Sequence, residues 1–376
     1  MGSKRVMLNN GLGDILLAQT KPATRMVDLF CGAGSVSWFI ASHLNKPVLA
    51  CDLQQYAVIL AGSVVKRIKS VDVEEIDKLW LIQAERIRAK LKGWDEAEKL
   101  DNARYSTAKW RRCAQQLCSS DSTAESPLVW RCYGGHYYSP SQALTFDSML
   151  RSLPVDETHR ELCLAAVIIA AGNCAAAPGH TAQPFKATQT AGSYLREAWL
   201  RDPFSYVRKA LKTLCQIHAK KRGEVRVGDA NKIAKDLNPT DVVFVDPPYS
   251  SVQYSRFYHV LETIARLSCG KVDGVGRYPP PEERPNSAYS KKRTSTKVIT
   301  DLLRTLSTNG CKVVVTFPKD QSSNGLSGDK LHSIACEFYN VTLHSIMSTF
   351  STLGGNRSNR DARKVSSELI LILRPR

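Results

Sequence analysis

The stretch Asp241-Val242-Val243-Phe244-Val245-Asp246-Pro247-Pro248-Tyr249 decides how the rest of the chain is read. Asp241 to Val245 is β-branched and aromatic with turn residues beyond it, which predicts a short, fully buried strand. Two prolines then end hydrogen-bonded pairing, since neither ring nitrogen carries a proton. The chain must leave the sheet at the carboxyl end of a central strand, and it leaves a carboxylate, a rigid carbonyl-bearing elbow and a phenol there. In open α/β sheets that edge is where ligands bind. An acid and a carbonyl that each accept a hydrogen bond, beside an aromatic face, suit a flat ring with an exocyclic amino group. A tight turn without function would use the same four residues, so the motif alone does not discriminate.

Upstream, Met26-Val27-Asp28-Leu29-Phe30 reads as another buried strand, Cys31-Gly32-Ala33-Gly34-Ser35 as a glycine turn and Val36 to Leu44 as a helix. This is a dinucleotide-type loop without the third glycine of Gly-x-Gly-x-x-Gly. The omission argues against a pyrophosphate-bearing cofactor, because those glycines let backbone approach phosphate. A cofactor with an adenosine half and no phosphate, such as S-adenosylmethionine (SAM), tolerates it. The next strand, Pro47 to Cys51, ends in Asp52, an acid placed to bind ribose hydroxyls. The competing role for Asp52 is a cap for the helix beginning near Gln55.

Further strands are expected at Glu224–Asp229, Lys312–Phe317, Val341–Met347 and Glu368–Leu373. Together they predict an α/β fold: a doubly wound, seven-stranded Rossmann-like sheet with an antiparallel pair at its end. Between about Val73 and Asp202 the strand–helix alternation lapses. Residues 73–202 are therefore expected to form an inserted, mostly helical recognition region, with 1–72 and 203–376 making the catalytic domain. Pro279 to Ser290, rich in Pro, Ser and charge, reads as a flexible loop. Cys113, Cys118, Cys132 and His136 are spaced poorly for zinc, so no metal is expected.

Hydrophobic residues make up 43% of the chain and charged residues 23%, the balance of an ordinary globular protein. No apolar run approaches the ~20 residues that span a bilayer, and no signal pattern opens the chain, so a cytoplasmic protein with no membrane partner is expected. Eleven cysteines, an odd number scattered among the elements, suit reduced thiols. The 52 Lys+Arg against 35 Asp+Glu give a formal charge of +17, which points to a polyanionic partner. Basic residues cluster at Arg201–Asp236, Arg277–Lys297 and Arg357–Lys364. A solvated cationic surface is the plainer reading of each cluster.

In this order the pieces resemble the amino-type DNA adenine methyltransferases, in the arrangement with the glycine loop before Asp-Pro-Pro-Tyr. Gly2-Ser3-Lys4-Arg5, with Leu8 and Gly11-Leu12-Gly13, looks like that family's N-terminal cofactor motif, and Asp28-Leu29-Phe30-Cys31-Gly32-Ala33-Gly34-Ser35 like its first SAM motif. Asp52 falls where its ribose-binding acid would be, and Asp229 where an acid lies near the cofactor's adenine. The resemblance thus implies SAM as cofactor, with Lys4, Asp28, Phe30, Cys31, Gly32, Ala33, Gly34, Asp52 and Asp229 around it. Asp246, Pro247, Pro248 and Tyr249 are implied as the catalytic motif. The Gly354-Gly355 loop and the final strands also look familiar, whereas the insertion matches less well.

The implied reaction is methyl transfer from SAM to the N6 amino group of adenine in double-stranded DNA, with the base flipped out of the helix. Asp246 and the Pro247 carbonyl would accept the two amino protons, and Tyr249 would stack on the base. Arg277, Lys291, Lys292, Arg293, Arg357 and Arg360 are the candidates for holding phosphates. The resemblance also admits cognate restriction or defence proteins as partners. Other readings stay open: an RNA adenine methyltransferase whose Trp110, Trp130, Tyr137 and Tyr138 stack unpaired bases, cytosine-N4 methylation, and a silent nucleic-acid-binding protein.

Overall fold

In the computed structural model of the chain, residues 4–120, 123, 125–351 and 363–376 are described. Among them lie seven strands of one sheet: β1 Arg25–Asp28, β2 Val48–Asp52, β3 Glu224–Val227, β4 Asp241–Val245, β5 Lys312–Pro318, β6 Tyr339–Ser351 and β7 Arg363–Pro375. Their spatial order is β3-β2-β1-β4-β5-β7-β6. The first five run parallel, while β7 is antiparallel to β5 and to β6. This is the expected doubly wound α/β sheet with an antiparallel pair at one edge. Parallel strands buried on both faces need continuous apolar runs, and β4 supplies one, all five residues being buried.

The chain forms two compact units. The first holds residues 1–69, 218–254 and 286–376, and therefore the whole sheet. Its core lies on both sheet faces. Val27, Val243, Val313 and Leu371 point to one layer. Met26, Phe244, Val314 and Ile370 point to the other, where the N-terminal residues Met7, Leu12 and Leu16 cover them. The alternation follows from the two-residue period of a strand.

The second unit takes residues 70–217 and also 255–285. It is thus larger than the 73–202 stretch expected from sequence, gaining the helix Pro203–Gln216 and most of the helix Tyr254–Arg266. Its aromatics form its own core. Trp110, Trp130, Tyr137 and Tyr138 are all buried. Trp110 Nε1 donates to Asp101 at 2.9 Å, Tyr137 Oη to the Thr181 and Gly276 carbonyls, and Tyr138 Oη to Ala171. The stacking platform for unpaired RNA bases that these four residues suggested is not there. Rings whose faces are packed inside a core offer no surface to a base. Cys118 and Cys132 are free, buried thiols, and no group of three or more His, Cys, Asp or Glu among the described residues is placed to hold a metal ion. No described helix is long and apolar enough to cross a membrane.

Candidate active site

The strand order reverses beside β1: β2 and β3 lie on one side of it, β4 and β5 on the other. Loops leaving the carboxyl ends of β1 and β4 must diverge there and open a crevice. Asp28, the last residue of β1, pairs with Phe244, two residues before Asp246. Neighbouring strands are about 4.8 Å apart, so the glycine loop and the Asp-Pro-Pro-Tyr elbow emerge side by side.

The glycine loop is braced from below. Asp28 is buried, accepting from the Ser37 hydroxyl at 2.7 Å and the Phe30 amide at 3.4 Å. Burial pushes its carboxyl up to about 7; the Ser37 hydroxyl opposes this and the nearby carboxylates of Asp246 and Asp52 add to it. Cys31 N–H donates to the Cys51 carbonyl, tying the loop to β2. Gly34 adopts φ +78°, and a Cβ there would lie 2.8 Å from Trp38 Nε1 and 3.2 Å from the Ala61 Cα, so glycine is required on both counts. Gly32, at φ +48°, is open instead: a Cβ there would meet nothing nearer than the Phe30 carbonyl at 4.0 Å. That is the face a ligand can approach.

Asp52 accepts the Gly32 amide at 3.0 Å on Oδ2 and the Gln54 amide at 3.0 Å on Oδ1. It therefore serves the turn before the helix Gln55–Val65 and the glycine loop at once. Asp229 caps the short helix Ala230–Ile233 through the Asn231 and Lys232 amides. Asn231 in turn accepts from the Tyr289 hydroxyl and donates to the Val298 carbonyl. The Tyr289 ring stands edge-on to Phe30 with centroids 5.0 Å apart. Asn231, Tyr289 and Phe30 thus form one chain of contacts, with the buried Tyr289 ring backing the half-buried Phe30 next to the glycine loop.

At the elbow, Asp246 is 22% exposed and both of its partners among the described residues meet Oδ1: Thr316 Oγ1 at 2.9 Å and Lys4 Nζ at 3.0 Å. Lys4 is also paired with Glu368 of β7, whose side chain is only 2% exposed. Burial pulls the Lys4 ammonium down, yet the two carboxylates outweigh it and hold it above its ordinary range. Burial raises Glu368, against the pull of Lys4. Buried Asn324 donates from Nδ2 to the Pro248 carbonyl at 2.8 Å and to the Tyr289 carbonyl at 3.1 Å. One amide thereby fastens the elbow to the turn that carries Tyr289. Tyr249 is partly buried against the core, and burial, followed by Asp246, raises its phenol.

A family model described as D12 class N6 adenine-specific DNA methyltransferase matches residues 1–144 and 156–280. The chain belongs to that family. The modification methylase LlaI of Lactococcus lactis subsp. lactis is 34% identical over 90 residues, which are 24% of this chain and 14% of that methylase. The chain therefore spans only a small part of that relative's length.

For this D12-class chain, the structure brings Lys4, Asp28, Phe30 to Gly34, Asp52, Asp229 and Asp246 to Tyr249 into one unit at one end of the sheet. The phosphate candidates fare differently. Lys291, Lys292 and Arg293 are exposed, directly after the turn that carries Tyr289. Arg277 is in the second unit, and its guanidinium donates to the Arg131 and Cys132 carbonyls at 2.9 Å each, with its own backbone at φ +54°. Its Nε and Nη2 are engaged in holding a turn, which a run of basic residues in sequence could not reveal. Arg357 and Arg360, like Gly2, Ser3 and the Gly354-Gly355 loop, lie outside the described residues.

Sequence reading missed Thr316, Asn324, Tyr289 and Glu368. Thr316 interrupts Val313-Val314-Val315-Thr316-Phe317, and Glu368 precedes the run Leu369 to Leu373. A lone polar residue against a buried apolar run was the available signal in both.

Proposed function

We propose that the chain methylates the N6 amino group of adenine in double-stranded DNA, using SAM. The observation that carries this reading is the juxtaposition at the switch point: an acid held by one oxygen, one strand away from a glycine loop with an open face. The SAM fit rests on this chain's own groups. Acidic side chains at the end of β2 and just beyond β3 and β4 suit a cation with ribose hydroxyls, and the half-buried Phe30 ring, backed edge-on by Tyr289, suits the face of a purine. In this reading Asp52 binds the ribose, the Gly32 region lies against the cofactor, and Asp229 and Asn231 stand near its adenine. When bound, SAM supplies an electrophilic methyl on a sulfonium.

The residues at the elbow then do the rest. An aromatic amine is a weak nucleophile because its lone pair is delocalised into the ring. Oδ2 of Asp246 and the Pro247 carbonyl accept its two protons, which turns the nitrogen towards tetrahedral geometry and localises the lone pair. Methyl transfer to that nitrogen would form the N–C bond and leave the electron pair of the broken S–C bond with the departing thioether. The nitrogen, briefly cationic, passes one proton to Asp246 and from there to solvent. Tyr249 stacks on the extruded base, a contact worth about 1–3 kcal/mol against a flipping cost of a few kcal/mol. Lys291, Lys292 and Arg293 take phosphates, and the second unit reads the target.

A labelled-methyl assay on duplex DNA and on RNA, followed by mapping of the modified bases, tests the reading. N6-methyladenine in the duplex supports it. Label confined to RNA, or on cytosine N4, would replace it with one of the neighbouring chemistries, and no label with SAM bound would make the chain a silent binder.

A further inference from the structure

Glu368 takes no part in the bond-making and bond-breaking at the elbow. It is a buried carboxylate at the head of the apolar run Leu369 to Leu373, opposite Pro318 of β5 and Ile346 of β6. Removing a carboxylate from water is costly even after the surroundings relax, and a buried ion pair is weak evidence for stability. Its partner, Lys4, is already paired with Asp246. One ammonium thus serves two carboxylates, and the cluster of three carries a net charge of −1.

We infer that Glu368 is a positioning residue for methyl transfer: it anchors the Lys4 ammonium at Oδ1 of Asp246, so that Oδ2 is left to accept the amino proton. The inference rests on the adenine-methylation reading. A lysine held only by Asp246 is free to swing on its four-carbon stem and bridge both oxygens, which would occupy the atom the substrate needs. Tethered to Glu368 on one side, it meets Asp246 from one direction, and Thr316 Oγ1 fills the same oxygen at 2.9 Å from β5. The sharing also limits how far the ammonium neutralises Asp246. The cluster stays anionic, which matches the positive charge the nitrogen carries until its proton leaves. The charged and titratable groups facing Lys4 are Asp246, Glu368 and the Tyr249 phenol.

The test is a double-mutant cycle of Glu368→Gln and Lys4→Met in the full chain, with unmethylated genomic DNA and tritiated SAM. Glu368→Gln is expected to lower kcat about tenfold or more, a loss of the size that misplacing a reacting group brings, with the Kd for SAM within about twofold of wild type. In the Lys4→Met background it is expected to change kcat by less than about twofold, since its effect runs through Lys4. Losses that multiply, or a Glu368→Gln enzyme at wild-type kcat, overturn the inference while leaving the methylation reading intact. A wild-type chain that methylates no DNA overturns the reading and this role together. Titration of the Lys4 ammonium by 15N NMR reads the contact apart from turnover: its midpoint is expected to fall in Glu368→Gln, and an unchanged midpoint overturns the inference whatever the activity.

Discussion

The Thr316 hydroxyl donates to Oδ1 of Asp246 at 2.9 Å, from the strand next to the one that ends in the Asp-Pro-Pro-Tyr elbow. A threonine buried in a run of valines is there for its hydroxyl. Thr316→Val keeps the volume and removes one hydrogen bond to a charged group, a loss of about 1.5–3 kcal/mol where the bond holds the reacting geometry. A fall in kcat of about tenfold or more with unchanged SAM affinity is expected from single-turnover rates and a binding titration. An equal loss in both would make Thr316 a general support of the fold.

Tyr289 tests the support of the Phe30 ring. Tyr289→Phe keeps the ring against Phe30 and should keep SAM affinity, while unfolding free energy drops by about 1–3 kcal/mol because Asn231 loses its donor. Tyr289→Ala removes an edge-to-face pair worth about 0.5–1.5 kcal/mol and should weaken SAM accordingly. Calorimetric titration of the two variants separates ring from hydroxyl. Equal affinity in both would place the adenine elsewhere.

Asp28 makes a pH prediction. Its carboxyl is raised to about 7, first by burial, so the folded chain holds a proton there that the unfolded chain releases near the ordinary carboxylate value. This stabilising contribution is complete below about pH 4 and is lost as pH rises through about 7. Asp28→Asn cannot ionise and escapes that loss. The stability difference, variant minus wild type, should therefore grow between about pH 4 and pH 7 and level off above it. Denaturant titrations across that span check it, and a constant difference would mean that Asp28 is ionised throughout.

The basic residues divide by their partners. Replacing Lys291, Lys292 and Arg293 with alanine should flatten the log–log salt dependence of DNA affinity by about 0.9 for each phosphate no longer neutralised, with little change in stability. Arg277→Ala removes the donors to two carbonyls and should lower the stability of the second unit. A steep salt slope retained by the triple variant would assign the phosphates to other residues.

Much of the fold was legible because its parallel strands announce themselves locally. Met26 to Leu29, apolar but for Asp28, and Val242 to Val245 are short runs followed by glycine or proline, and those turns are also where the candidate chemistry lies. The site's support was not legible, because it comes from far away. Lys4 and Glu368 are 364 residues apart in sequence and meet only when β7 inserts beside β5. The Pro279–Ser290 stretch looks flexible by composition, yet Tyr289 in it is buried, since a single aromatic anchor can fix a polar loop. The aromatics of the insertion misled for the converse reason. Composition does not distinguish a ring that stacks on a base from one that fills a core, and in Tyr137 and Tyr138 complete burial decides it.

The most direct test is methyl transfer by Asp246→Ala, measured in a single turnover with labelled SAM and duplex DNA beside a SAM titration of the same protein. SAM is expected to bind still within about threefold of wild type while transfer falls by about a thousandfold or more. Transfer at an undiminished rate would contradict this, because the amine would then need no acceptor at the rim of β4.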